Sequence, residues 1–211
     1  RCSGRSNMKS KVHVNIFGYI LCFLIVLLSL QLYSKSSSFN LKCIESTKDG
    51  NEYCVRHRDD VQTAADLLAE VTSRMSKLVK YMKKTYPDRD NVYRLYTNFK
   101  PSEVNETLPS SELTAYSENK GETIAFCLNK SGKNRKTSNK FVDINTLTFV
   151  AIHELGHVMS KTLGHNDEFW ENFKFLLENA VDISIYDPVD YKKNPSDYCG
   201  MTLTDNPLFD M

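Results

Sequence analysis

The segment His153-Glu154-Leu155-Gly156-His157 sets two imidazoles four residues apart, with a carboxylate directly after the first. On an α-helix such residues lie one turn apart on one face, so both rings can reach a single metal ion. Glu154, rotated by about 100° from His153, can then address a water molecule at that ion. This donor set suits zinc, and the chemistry it suits is hydrolysis of a peptide bond, with the glutamate as general base toward the attacking water.

A catalytic zinc site takes a third protein ligand and leaves one position open. His165 is the leading candidate, because Gly164 allows the chain to reverse just before it. The competing roles and residues are a helix cap for His165 itself, and a glutamate from the next helix, Glu171 or Glu178. Tyr186, Tyr191 and Tyr198 follow the site in sequence and could supply a hydroxyl to a developing oxyanion or simply pack. A substrate strand could lie along the segment Glu122–Leu128 by sheet-edge pairing.

The elements that must position these groups can be read from periodicity. Asp143 caps a helix carrying Ile144, Leu147, Ala151, Leu155 and Val158, and Asn166 opens another with Phe169, Trp170, Phe173, Leu176 and Leu177. Asp59-Asp60 precedes a long amphipathic helix running toward Pro87. Val92–Tyr96 reads as a strand, and Leu113–Tyr116 with Glu122–Leu128 reads as a hairpin about the turn Ser117–Gly121. A late strand is expected near Gly200–Leu203. The segment Asn129–Lys140 holds five basic and no apolar residues and reads as a solvated loop.

Gly164-His165-Asn166-Asp167-Glu168-Phe169-Trp170, following His153–His157, resembles the SprT-like and WLM-type zincin metallopeptidases. There HExxH is followed after a short gap by a Gly/Asn-His-x-x-x-Phe-aromatic segment. The likeness covers about residues 143–180 and implies zinc held by His153, His157 and His165, with Glu154 as catalytic base. The set Thr114-Ala-Tyr116, Phe126-Cys-Leu128 and Tyr198-Cys-Gly200 also resembles metallopeptidase-like proteins of large algal DNA viruses. The metzincin pattern is not met, since Ser160 and Leu163 stand where that pattern needs Gly and His, so Met201 carries little weight as a Met-turn.

Charge and hydropathy set the wider expectation. The 211 residues are 41% hydrophobic and 25% charged, enough apolar content for one ordinary domain and too much for a disordered chain. The net charge of +1 conceals two blocks: residues 1–42 carry six basic and no acidic residues, leaving 21 basic against 26 acidic beyond them. A net of −5 over that second block argues against nucleic-acid binding.

Val12–Tyr33 is 22 residues without a formal charge and reads as a membrane span, its more basic flank kept in the cytoplasm. The expected organisation is therefore a cytoplasmic segment 1–11, a signal anchor 12–33, a stalk 34–58 and a lumenal or extracellular domain 59–211. That domain would be secreted if the anchor were a cleaved signal peptide. Cys43, Cys54, Cys127 and Cys199 suit an oxidising compartment, with Cys43–Cys54 and Cys127–Cys199 as the expected pairings. Asn105-Glu-Thr107 and Asn129-Lys-Ser131 are glycosylation sequons on the same side.

These features predict an α+β, zincin-like fold: a small antiparallel sheet on the HExxH helix, after one transmembrane helix. The expected function is a membrane-anchored zinc endopeptidase acting on protein or peptide substrates. Its rival is a non-catalytic, zinc-stabilised module at a membrane or virion surface. A third reading, a SprT-like nuclear protease, would require the apolar N-terminus not to be a span and the sequons and cysteines to be accidents.

Overall fold

A computed structural model describes residues 16–34, 41–109, 111–130 and 140–209. Two units are distinct, one ending at Ser36 and one beginning at Ser37. The first contains helix α1, Ile16–Ser34, whose apolar side chains from Tyr19 to Leu28 are exposed. Among the described residues no helix is long and apolar enough to cross a membrane. That finding overturns the expected single-pass span over 12–33 and the cytoplasmic-to-lumenal topology built on it. Residues 12–15 of the expected span lie outside the described residues. The basic residues Arg1, Arg5, Lys9, Lys11 and Lys35, and the serine-rich stalk segment up to Asn40, lie outside the described residues.

The second unit opens with strands β1, Leu41–Glu45, and β2, Glu52–Arg56, where a stalk was expected to continue to residue 58. They pair antiparallel with Cys43 opposite Cys54, and these two form a disulfide. Helix α2, Val61–Thr85, follows with Ala64, Leu68, Val71, Met75, Leu78 and Met82 buried at alternating steps of four and three. That stripe packs against the later helices α4 and α5. Helix α3, Asp90–Asn98, replaces the expected strand at Val92–Tyr96. Val and Tyr favour strands, but Val92 and Leu95 are buried three residues apart while Tyr93 and Tyr96 face solvent, so tertiary packing selects the helical period.

Strands β3, Val104–Glu106, β4, Ala115–Glu118, and β5, Thr123–Phe126, form a sheet in the order β3-β5-β4. The sheet is mixed rather than purely antiparallel: β4 and β5 are an antiparallel hairpin, but β3 runs parallel to β5. The chain leaves β3, takes the outer position as β4 and returns between the two as β5. Helices α4, Ile144–Met159, and α5, Asp167–Asp182, then pack together, and strands β6, Ser196–Tyr198, and β7, Met201–Leu203, close the unit. Cys127–Cys199 ties the end of β5 to the β6–β7 turn. The fold is thus α+β with small sheets, and α4 lies at its centre, touching α2, α3, α5 and β4. A helix apolar on every side is a buried helix, and α4 has few exposed positions to spare.

The Asn105 and Asn129 side chains are half-buried, and Asn129 Oδ1 accepts from Arg58 Nη1 at 2.9 Å. Residues 131–139 of the expected solvated loop lie outside the described residues.

Candidate metal centre

Helix α4 starts as its sequence dictates: Asp143 accepts from Thr146 N at 2.8 Å and fixes the first turn. About three turns on, the helix carries His153 and Glu154, and one turn further His157. It stops at Ser160, whose backbone is extended and whose N and Oγ both donate to Gly156 O. Gly164, at φ +81°, turns the chain, and Asn166 opens α5 by accepting from Phe169 N at 3.1 Å. Gly156 is needed for packing: a Cβ there would stand 3.1 Å from Phe169 Cε2 and 3.4 Å from Phe173 Cβ, so glycine lets α5 approach α4.

The reversal brings His165 back over the first pair. Its Nε2 lies 3.0 Å from His153 Nε2 and 3.1 Å from His157 Nε2. Each ring nitrogen offers one in-plane direction, as donor or as acceptor, so His165 Nε2 cannot satisfy both neighbours by hydrogen bonding. A cation between them resolves the conflict, and nitrogens about 2.0–2.1 Å from a tetrahedral zinc ion stand apart by nearly this spacing. Phe169, fully buried, stacks on His157 with ring centroids 4.3 Å apart and meets His153 and His165 edge-on. Burial, with the neighbouring imidazoles, pushes His153 down to about 3 and His157 down to about 4. Both are neutral at physiological pH, the form a metal requires. Glu171 and Glu178 lie on the exposed face of α5, outside this cluster.

Glu154 lies beside the histidines and is 4% exposed. Desolvation raises its carboxyl to about 8, opposed by the backbone N–H of Ser117 on β4. Among the described residues no lysine or arginine pairs with it. The three histidines and Glu154 open into a cleft of about 540 Å³ that is also lined by Leu113, Ala115, Tyr116, Ser117, Lys120 and Leu163.

Strand β4, not β5, runs along this cleft. β5 is paired on both sides and has no free edge, which corrects the expectation that substrate would lie beside Glu122–Leu128. Cys127 N donates to Thr114 O at 2.8 Å, and antiparallel pairs alternate. The backbone groups of Tyr116 therefore also face β5, and those of Ala115 and Ser117 face the free edge.

The loop between α4 and α5 is pinned by Glu168, whose carboxylate accepts from Lys161 N, Thr162 N and Thr162 Oγ1. Those bonds, the Thr162 hydroxyl foremost, hold Glu168 down at about 2. Of the three tyrosines considered from sequence, none lines the cleft. Tyr186 and Tyr191 pack around Phe149, and Tyr198 is buried with its hydroxyl donating to Thr114 O at 3.1 Å. The cleft's own tyrosine is Tyr116. It was passed over because nothing local distinguishes it from any strand tyrosine, and the same holds for Ser117 and Lys120 in what read as a polar turn.

No family model matches the chain. It is similar to the uncharacterized protein R325 of Acanthamoeba polyphaga mimivirus, 29% identical over 186 residues, spanning 83% of this chain and 88% of that protein. It also resembles the uncharacterized protein 136R of Invertebrate iridescent virus 6, 35% identical over 81 residues, of which it spans 44%. The uncharacterized protein 042R of Invertebrate iridescent virus 3 is 39% identical over 64 residues, and the chain spans 39% of it. These relatives are viral, as the looser resemblance implied, but come from viruses of other names than the algal group. Among solved structures, Wss1 from Saccharomyces cerevisiae is 19% identical with a TM-score of 0.45, over 61% of this chain and 84% of that one.

Proposed function

We propose that this chain is a zinc-dependent endopeptidase of zincin-like fold. The observation that carries the reading is the convergence of three imidazole nitrogens beside a buried glutamate that, among the described residues, has no lysine or arginine partner. A site that served only stability would gain nothing from an uncompensated carboxyl at that position.

His153, His157 and His165 would hold the zinc through Nε2, with Phe169 beneath them fixing the ring planes. When bound, zinc supplies Lewis acidity toward a water molecule and a peptide carbonyl. Glu154 takes the proton of the attacking water on its carboxylate and returns it to the nitrogen of the leaving amine. In the metal-free chain burial favours the protonated form of this carboxyl, and a dication beside it would oppose that shift, leaving a carboxylate that accepts the proton and a carboxyl able to give it back. Substrate would lie extended against β4, bonding to the outward amide groups of Ala115 and the carbonyl of Ser117, while the Ser117 N–H keeps Glu154 in register. Main-chain pairing of this kind accepts many sequences, so the substrate class is extended peptide or unfolded protein.

The test is metal analysis and peptide cleavage by the purified chain and its Glu154→Gln variant. About one zinc per chain in both, with cleavage only by the unsubstituted protein, is the expected result. Zinc without cleavage in either would favour a zinc-stabilised binding module, and equal cleavage in both would remove the role given to Glu154.

A further inference from the structure

The turn joining β4 to β5 is held in a costly conformation. Asn119, Lys120 and Gly121 have consecutive φ values of +46°, +62° and +105°, and two of the three are not glycine. Residues are kept in such backbone states where surrounding contacts over-determine them. Here those contacts are visible. A Cβ on Gly121 would stand 3.0 Å from both Asn98 O and the Val158 methyls, so the turn is pressed against the ends of α3 and α4. From that turn the Lys120 ammonium reaches Thr162 O at 2.5 Å, Ser160 O at 3.0 Å and His157 O at 3.5 Å.

An ammonium has three N–H bonds, and all three are directed at carbonyls, so Lys120 lines the cleft without a proton to offer a substrate. It fills instead the place of a cation at a helix C-terminus, where the last carbonyls lack intrahelical partners. A second cation serves the same end, Arg94 Nε donating to Met159 O at 2.9 Å. The two differ in what they carry. Arg94 belongs to α3, whereas Lys120 belongs to the hairpin whose outer strand forms the cleft wall. The carbonyls it grips belong to His157, to the helix end, and to Thr162, three residues before His165.

We propose that Lys120 is a positioning residue that sets the spacing between the β4 edge and the three-histidine cluster by tying the β4–β5 turn to the end of α4 and to the loop bearing His165. This rests on the peptidase reading given above. One lysine thus couples the strand that would hold substrate to two of the three imidazoles, and its removal should loosen both at once.

The test compares the full chain with Lys120→Met, which keeps the aliphatic stem and removes the charge. Zinc affinity is read by competition with a chromophoric chelator, and kcat and KM for a peptide are read at saturating zinc. Zinc affinity about fivefold weaker and KM about fivefold higher, with kcat within about twofold, is the expected outcome. A role in stability alone would lower the melting temperature and leave zinc affinity and KM of the folded protein unchanged, and that result overturns the proposal. Should Lys120→Met fail to fold, Lys120→Gln retains an amide able to reach part of the carbonyl set, and the same two readouts decide. An unsubstituted chain that binds no zinc removes the peptidase reading and this proposal with it. A chain that binds zinc and cleaves, while Lys120→Met matches it, removes only this proposal.

Discussion

Two buried glutamates in this molecule share one environment and differ in their partners. Glu106 on β3 has a fully buried side chain, and Glu154 on α4 is nearly so. Desolvation is the largest influence on each and raises both. Glu106 is opposed by two guanidinium groups: Arg58 Nη2 bonds to its Oε1, Arg56 Nε lies 3.5 Å from the same oxygen, and Arg56 N donates to Oε2 at 2.7 Å. Arg56 is itself anchored on Thr107 O and Thr107 Oγ1. Among the described residues Glu154 has only the Ser117 N–H. The first carboxylate is locked into a network that joins β2 to β3. On the peptidase reading proposed above, the second is poised to exchange a proton in a cleft beside three imidazoles, and the asymmetry would separate a structural charge from a chemical one.

Substitution should split the pair cleanly. Glu154→Gln is expected to abolish peptide cleavage, by on the order of 10³-fold or more, while zinc content and fold persist. Glu106→Gln is expected to do the reverse. Leaving the buried Arg56 and the part-buried Arg58 short of their counter-charge should cost about 3–5 kcal/mol in denaturant unfolding, with cleavage per folded molecule retained. Loss of activity in folded Glu106→Gln would erase the distinction between them.

The pH dependence of stability gives a smaller and sharper contrast. A carboxyl raised to about 8 contributes stability that is complete below its unfolded value near 4.5 and is lost as pH climbs through about 8. The depressed histidines act the other way. Their contribution is complete above about 6.5 and is lost as pH falls toward about 4 for His157 and about 3 for His153. Glu168, held near 2, contributes fully above about 4.5 and loses that contribution only as pH falls through 2. Between pH 6.5 and 8.5 Glu154 is therefore the moving part among these four. The melting temperature of chelator-stripped protein should fall across that window and be flat in Glu154→Gln. The smallest effect is expected from Glu168→Gln, a third glutamate satisfied by backbone N–H groups at the surface. Its loss should loosen the His165 loop and weaken zinc binding about threefold in the same chelator competition, without touching the pH profile.

What could be read along the chain was local. The i, i+4 placement of His153 and His157, the caps at Asp143 and Asn166, the helical stripe of α2, the β4–β5 hairpin and the Cys43–Cys54 pairing follow from spacing and residue chemistry within short windows, and Cys127–Cys199 is then the pair that remains. Errors arose where a distant contact outweighed a local preference. Val92–Tyr96 has strand propensity but becomes helical because Val92 and Leu95 dip into the core. The Leu41–Arg56 stretch has weak periodicity and reads as stalk, yet its strands pair and pack on α2. The segment Val12–Tyr33 has the composition of a span, but no helix among the described residues is long and apolar enough to cross a membrane.

Sequence by itself determined which residues could act as ligands and base and which helix face they share, because helical periodicity is a property of neighbours three and four apart. Tertiary structure alone decided that Glu154 has no lysine or arginine partner among the described residues, that β4 rather than β5 owns the free edge, that Glu171 and Glu178 stay outside the cluster, and that Lys120 reaches the carbonyls at the end of α4. Each of these depends on desolvation or on a contact between groups tens of residues apart, such as Ser117 with Glu154 and Lys120 with Thr162, and no local pattern encodes which distant partner a buried group will meet.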